Sequence, residues 1–224
     1  MMTPALIFDF DGTIVDTETP ALESTAKIWA DYGLDFPLDW WLEGMGTDRK
    51  SSWVKELEYR SGATLDSDVL MAERQRVKDL ITEKQPVLPG VSDLIREAQT
   101  RGIQLAIGSS SPHSWVDRHL KRVGLFDKFS HIVCRDDVGG VSKPAPDVYQ
   151  HALELLGLEA DHAVVVEDSP NGLKAAIAAG MRTIVVPNPL VRSLDFTGAY
   201  ARYETLDVMP PGQLLDIAFD NILS

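Results

Sequence analysis

The sequence predicts an α/β fold: a doubly wound, mostly parallel sheet of the Rossmann type, with a helical domain inserted after its first strand. Three observations carry this. Short apolar, β-branched runs read as buried parallel strands. Helical stretches lie between them, and a glycine follows each at the place of a left-handed C-terminal cap. One interval, 17–86, has much helical pattern and no convincing strand, and holds four of the five tryptophans.

In chain order, Ala5 to Phe8 is the first predicted strand. The interval 17–86 follows, with helices expected over Pro20 to Tyr32, Arg49 to Arg60 and Asp66 to Lys84. Trp29, Trp40, Trp41 and Trp53 suffice to give it a small core of its own, and Pro86 with Pro89-Gly90 marks its exit. Helix then alternates with strand: Val91 to Thr100 before Gly102, Ile103 to Ile107, Trp115 to Val123 before Gly124, and His131 to Cys134. Next come Asp147 to Leu156 before Gly157, Ala163 to Val166, Gly172 to Ala179 before Gly180, and Thr183 to Val186. That alternation indicates right-handed βαβ units with ligands bound off the carboxyl ends of the strands. From Asn188 on the pattern is weak, up to a short helix expected over Gln213 to Ile222. The expected domains are 1–16 with 87–224 for the α/β core, and 17–86 for the helical insertion.

The chain has 224 residues, 44% of them apolar and 25% charged, an ordinary globular balance. With 21 basic and 34 acidic residues its formal charge is 21 − 34 = −13, which argues against nucleic acid or an anionic membrane as a partner. The single cysteine, Cys134, excludes an internal disulfide and a cysteine-built zinc cluster, and its apolar neighbours suggest a buried thiol. No apolar run reaches the roughly 18 residues of a membrane span. With no basic n-region at its start, the chain is expected to be cytoplasmic, and a monomer is the default.

Chemistry concentrates where strands end. Asp9-Phe10-Asp11-Gly12 sets two acids two residues apart, so on an extended chain they leave one face. Side by side they repel unless a cation or a shared proton lies between them. A solvated Asp-Gly turn would also explain the segment. A second pair, Glu167-Asp168, ends the Ala163 to Val166 strand; alone, it could simply cap the next helix. Four carboxylates in one crevice instead suit a hard divalent cation such as Mg²⁺. Ser109-Ser110-Ser111 at a strand-to-helix turn could bind phosphate, or Ser110 or Ser111 could cap the helix. Lys143, on a proline-stiffened loop, would by itself read as a solvated surface charge; opposite the four carboxylates and a phosphate it would instead be a point-charge clamp.

Taken together these segments resemble the haloacid dehalogenase superfamily, in its phosphatase and β-phosphoglucomutase-like branch with a helical cap after the first strand. The motifs stand here as Asp9 to Thr13 with Asp16, Ser109, Lys143-Pro144-Ala145-Pro146-Asp147, and Glu167 to Gly172. The resemblance implies Asp9 as nucleophile and Asp11 as general acid and base. It implies Mg²⁺ held by the Asp9 side chain, the Asp11 backbone carbonyl, Asp168 and Glu167, the last directly or through water. It assigns the phosphoryl group to Ser109, Lys143 and the backbone amides of Gly12 and Ser110. Asp16 reads as a hinge and capping residue, and Thr13 as a support of the turn. In the cap, Glu18 and Arg49 are candidates to face the substrate. The mutases of this branch carry a cap histidine where this chain has Ala21. The expected function is therefore Mg²⁺-dependent hydrolysis of a small phosphorylated metabolite, such as a sugar phosphate. A phosphomutase and a non-catalytic binding protein are the alternatives.

Overall fold

The computed structural model describes residues 3–44 and 53–220. Six strands form one parallel sheet: β1 (Ala5–Phe8), β2 (Gln104–Gly108), β3 (His131–Val133), β4 (Ala163–Glu167), β5 (Arg182–Val185) and β6 (Ala201–Arg202). Their order is β3-β2-β1-β4-β5-β6. The helices are α1 (Glu18–Asp31), α2 (Leu38–Gly44), α3 (Trp53–Ser61), α4 (Ser67–Thr82), α5 (Val91–Thr100), α6 (His113–Arg122), α7 (Asp147–Leu156), α8 (Pro170–Ala178) and α9 (Pro211–Ala218). The glycines expected beyond four of them, Gly102, Gly124, Gly157 and Gly180, all have positive φ.

Strand alternation divides the core. Leu6 and Phe8 pack with Leu105, Ile107, Val164 and Val166 against α5, α6 and α9, whereas Ala5 and Ile7 pack with Ala106 and Val165 against α7 and α8. Both faces of the sheet are thus covered by helices, which is why its strands read as unbroken apolar runs.

Between β1 and α5 the described residues hold helices only, and α1 packs along α4. Trp29, Trp41 and Trp53 are buried together, and Trp40 packs against them partly buried. The expectation of a private core needs correction, because the same cluster takes in Leu173 of α8, Val185 of β5, Val191 and Phe196. The helical segment buries its tryptophans jointly with residues of the sheet and of the stretch after β5. The expected helix from Arg49 is described only from Trp53. Two elements went unpredicted. β6 has two residues, too few to show a period, and is held to β5 by backbone bonds from Tyr200 to Thr183 and from Tyr203 to Val185. α2 is one short helix entered through Pro37. α9 begins at Pro211, earlier than predicted, because proline is tolerated in the first turn.

Asp16 fixes the point where the chain leaves the sheet. Its Oδ1 accepts from the Glu18 and Thr19 amides at the start of α1, and from Asn188 Nδ2 beyond β5 at 3.1 Å. No described helix is long and apolar enough to cross a membrane.

Candidate active site

The strand order reverses between β1 and β4, and a doubly wound sheet binds its ligand off the carboxyl ends at such a point. Asp9 follows β1, Glu167 ends β4 and Asp168 is next; Phe8 pairs in register with Val166, so the acids meet across the seam. Lys143 Nζ lies 2.6 Å from Asp9 Oδ1, 2.7 Å from Glu167 Oε1 and 2.8 Å from the Tyr149 hydroxyl. An ammonium has three protons, and all three are engaged here. Tyr149 donates in turn to Glu167 Oε1 at 2.7 Å. Glu167 Oε2 accepts from the Asp168 and Ser169 amides and the Ser169 hydroxyl, so this carboxylate is saturated with donors.

Two glycines make room for the acids. A Cβ on Gly172 would lie 1.7 Å from Glu167 Oε1, and one on Gly12, whose φ is +82°, would lie 2.0 Å from Asp168 Oδ2. Ser169 rather than Asp168 caps α8, its hydroxyl accepting the Gly172 amide at 3.1 Å. Asp168 is thereby left to face the site.

Burial dominates the electrostatics of the seam. It pushes Asp9 well above the usual carboxylate range, Glu167 and Asp11 add to the rise, and Lys143 opposes it. Asp168 is likewise raised well above that range by burial, then by Glu167, Asp9 and Glu18. For Lys143 burial acts downward, but Asp9 and Glu167 outweigh it and raise the ammonium pKa. Tyr149 is raised well above its ordinary value by burial and by the acids beside it. Three buried carboxylates against one ammonium leave an excess of negative charge that a cation would relieve.

Asp11 departs from its neighbour. The chain turns at once, with the Ile14 amide bonded to Phe10 O at 3.0 Å, so the extended geometry assumed for Asp9 and Asp11 does not persist. Asp11 Oδ1 accepts from the Trp115 indole Nε1 at 2.9 Å, and Oδ2 from the Ser111 hydroxyl at 2.5 Å. Neither Ser110 nor Ser111 caps α6. Pro112 stands at the cap position, the His113 amide is taken by Asp136, and Ser110 Oγ accepts the Lys143 amide. Nearby His119 is lowered to about 4 by burial, with Arg118 and Arg122 adding to the effect, and is neutral at physiological pH.

These groups open into a cavity of about 200 Å³ lined by Asp9, Asp11, Glu18, Ser110, Lys143 and Asp168, with Val191 and Leu194 forming an apolar side. Ser109 is fully buried, its hydroxyl accepting the Ser111 amide at 3.0 Å, and is not among the lining residues. Gly12 lines a separate cavity of about 250 Å³ with Thr13, Asp16 and Asn188. The Thr13 amide closes the turn on Phe10 O at 3.4 Å, while its hydroxyl has no partner. Cys134 is buried and free, its thiol raised by that burial. Arg49 lies outside the described residues. Tyr149, Ser111 as a partner of Asp11, and Trp115 escaped sequence reasoning. The spacing Lys143-x5-Tyr149 and the glycine at 108, where a Cβ would meet the Tyr149 ring at 2.9 Å, were the available signals for the tyrosine.

The donor set suits a hard divalent cation. Oxygens of Asp9, Glu167 and Asp168 lie within 4.8 Å of one another, and all three residues are buried. The Asp11 side chain stands apart from this group, so its share in a cation site would fall to its backbone carbonyl, as the resemblance implies.

Residues 6–186 match the model of the haloacid dehalogenase-like hydrolases. YhcW of Bacillus subtilis, named as a phosphatase, is 37% identical over 215 residues, which cover 96% of this chain and 97% of that protein. A phosphorylated carbohydrates phosphatase of Thermotoga maritima is 28% identical over 217 residues, covering 95% and 97%. CbbY of Rhodobacter sphaeroides, solved in complex with xylulose-(1,5)bisphosphate, superposes with a TM-score of 0.74 at 27% identity, covering 92% of this chain and 95% of that one. The chain belongs to the haloacid dehalogenase-like hydrolases.

Proposed function

We propose that this haloacid dehalogenase-like hydrolase is a Mg²⁺-dependent phosphatase of small phosphorylated metabolites, with sugar phosphates the leading class. The observation that carries the reading is the buried seam of Asp9, Glu167 and Asp168 around Lys143, opening into a cavity of small-molecule size. The relatives named as phosphatases support it. A bound Mg²⁺ supplies neutralising charge, which lets one anion approach another. Asp9, Asp168 and the Asp11 carbonyl would hold it, with Glu167, whose oxygens already accept five donors, reaching it through water.

The chain's own residues do the rest. A carboxylate oxygen of Asp9 attacks phosphorus; the new O–P bond forms as the ester O–P bond breaks, leaving an aspartyl-phosphate. Asp11 gives its proton to the departing alcohol oxygen, then takes one from the water that releases inorganic phosphate. Lys143 holds Asp9 in the ground state and, with Ser110, steadies the transferring group, while Ser109, whose hydroxyl takes the Ser111 amide, and Gly12, whose amide is bonded to Val15 O at 2.9 Å, shape the turns behind it. The segment 17–86 acts as a cap, with Glu18 toward the leaving group, and Val191 and Leu194 line the same cavity while packing in the cluster of the segment's tryptophans. Ala21 lies on the buried side of α1 and offers no titratable group, which favours hydrolysis over mutase chemistry.

The test is phosphate release from a panel of sugar, polyol and nucleoside monophosphates with Mg²⁺ or with EDTA. Mg²⁺-stimulated hydrolysis that Asp9→Asn abolishes is expected. Hydrolysis indifferent to Mg²⁺, or retained by Asp9→Asn, would overturn the reading. Isomerisation of β-glucose 1-phosphate outrunning phosphate release would replace it with a mutase.

A further inference from the structure

We propose that Trp115 is a positioning residue for Asp11: its indole N–H keeps Oδ1 as a permanent acceptor and leaves Oδ2 as the oxygen that gives and takes the reaction's proton. This rests on the reading of Asp11 as general acid and base.

An indole nitrogen only donates. At 2.9 Å from Nε1, a proton on Asp11 Oδ1 would face the indole proton, so Oδ1 is confined to accepting. Oδ2 meets the Ser111 hydroxyl, which either donates or accepts. Ser111 therefore tolerates both states of Oδ2, and a substrate or water oxygen can take its place. In phosphorylation the Oδ2 proton goes to the ester oxygen as its bond to phosphorus breaks. In dephosphorylation a water proton returns to Oδ2 as the water oxygen bonds to phosphorus, and Asp9 leaves as a carboxylate.

The indole is held rigidly enough for this. It is 8% exposed, with His119 packed edgewise at 4.3 Å between ring centroids. The Lys78 ammonium lies 4.6 Å from the ring centroid and the Arg118 guanidinium 5.4 Å. Cations over the ring face leave the in-plane N–H direction open toward Asp11. Lys78 belongs to α4, so the helical segment reaches the proton-transferring group through this ring.

Trp115→Phe keeps an aromatic ring and removes the N–H; replacing Trp115 by β-(3-benzothienyl)alanine removes only the N–H from a ring of nearly the same shape. Single-turnover phosphorylation is measured with the fastest alkyl ester of the panel and with 2,4-dinitrophenyl phosphate, whose leaving group needs no proton. For both variants the alkyl-ester rate is expected to fall roughly tenfold or more, the scale of a lost hydrogen bond to a charged group. The dinitrophenyl rate and both KM values should stay within about twofold. Equal losses with the two esters would mean a merely structural role and overturn the proposal. So would unchanged alkyl-ester rates where Asp11→Asn abolishes them. If Asp11→Asn keeps the wild-type alkyl-ester rate, the acid assignment itself falls, and the proposal with it.

Discussion

The seam between β1 and β4 and the tryptophan cluster beside β5 are both buried, yet opposite means build them. The seam is polar: three carboxylates, an ammonium and a phenol, in which Asp9 and Asp168 are pushed far up in pKa. The cluster is apolar and aromatic, with Phe36 meeting Trp29 at 5.7 Å and Trp41 at 5.5 Å between ring centroids. The indole nitrogens of Trp29 and Trp53 have no hydrogen-bond partner there. The cluster binds the helical segment to the sheet by area alone, whereas the seam is held in a state the fold by itself disfavours. Under the proposed function a cation would relieve that state in the seam, whereas the cluster contributes folding energy through buried area.

The largest effect that separates them is expected at Asp9. Asp9→Asn should lower kcat by at least about 10³-fold, as loss of a nucleophile does, while circular dichroism and thermal unfolding show an intact fold. Unfolding of this variant at ordinary temperature would place the seam among the folding elements and break the contrast.

Trp53 is fully buried, and Trp53→Ala should cost about 3–5 kcal/mol in urea unfolding. Below the transition, kcat should stay within a few-fold of wild type. A stability loss under about 1 kcal/mol would mean the cluster is not what fastens the segment.

The third effect is on pH and metal together. Asp9 and Asp168 have folded-state pKa values raised above the ordinary value near 4. Their protonated forms favour folding below that value, and the contribution is lost as pH rises through the raised values. In EDTA, Tm should therefore decline from about pH 5 toward pH 8, more than in Asp168→Asn. Mg²⁺ at about 100 times its Kd should raise Tm by several degrees at pH 8, from about 2.7 kcal/mol of linkage, and by less at pH 5. A Tm that rises with pH in EDTA, or equal Mg²⁺ shifts at both pH values, would contradict this account.

The smallest effect concerns Glu18, which lines the cavity from α1. Glu18→Gln should change kcat/KM by about three- to tenfold and unequally among esters, with Tm nearly unchanged. A uniform change across the panel would remove Glu18 from substrate choice.

Much of this was legible in the sequence because it is local. Unbroken apolar runs, glycine stops and proline breaks write strands and helices directly into residue order, and acids at strand ends mark the crevice wherever the sheet is parallel. The charge of −13 is likewise a property of the sequence alone, and it argues against polyanionic partners. What tertiary structure decided is which groups meet. Lys143 lies 134 positions from Asp9, and no period records that its three protons go to Asp9, Glu167 and Tyr149. Asp9 and Asp11 look equivalent two residues apart, yet the turn after Phe10 sends one into the seam and the other to Trp115, 104 positions away. Sequence determines the inventory and the local geometry through short-range sterics and hydrophobic periodicity. Partnership among buried polar groups depends on packing across the fold, because only there is water excluded and each donor forced to find an acceptor.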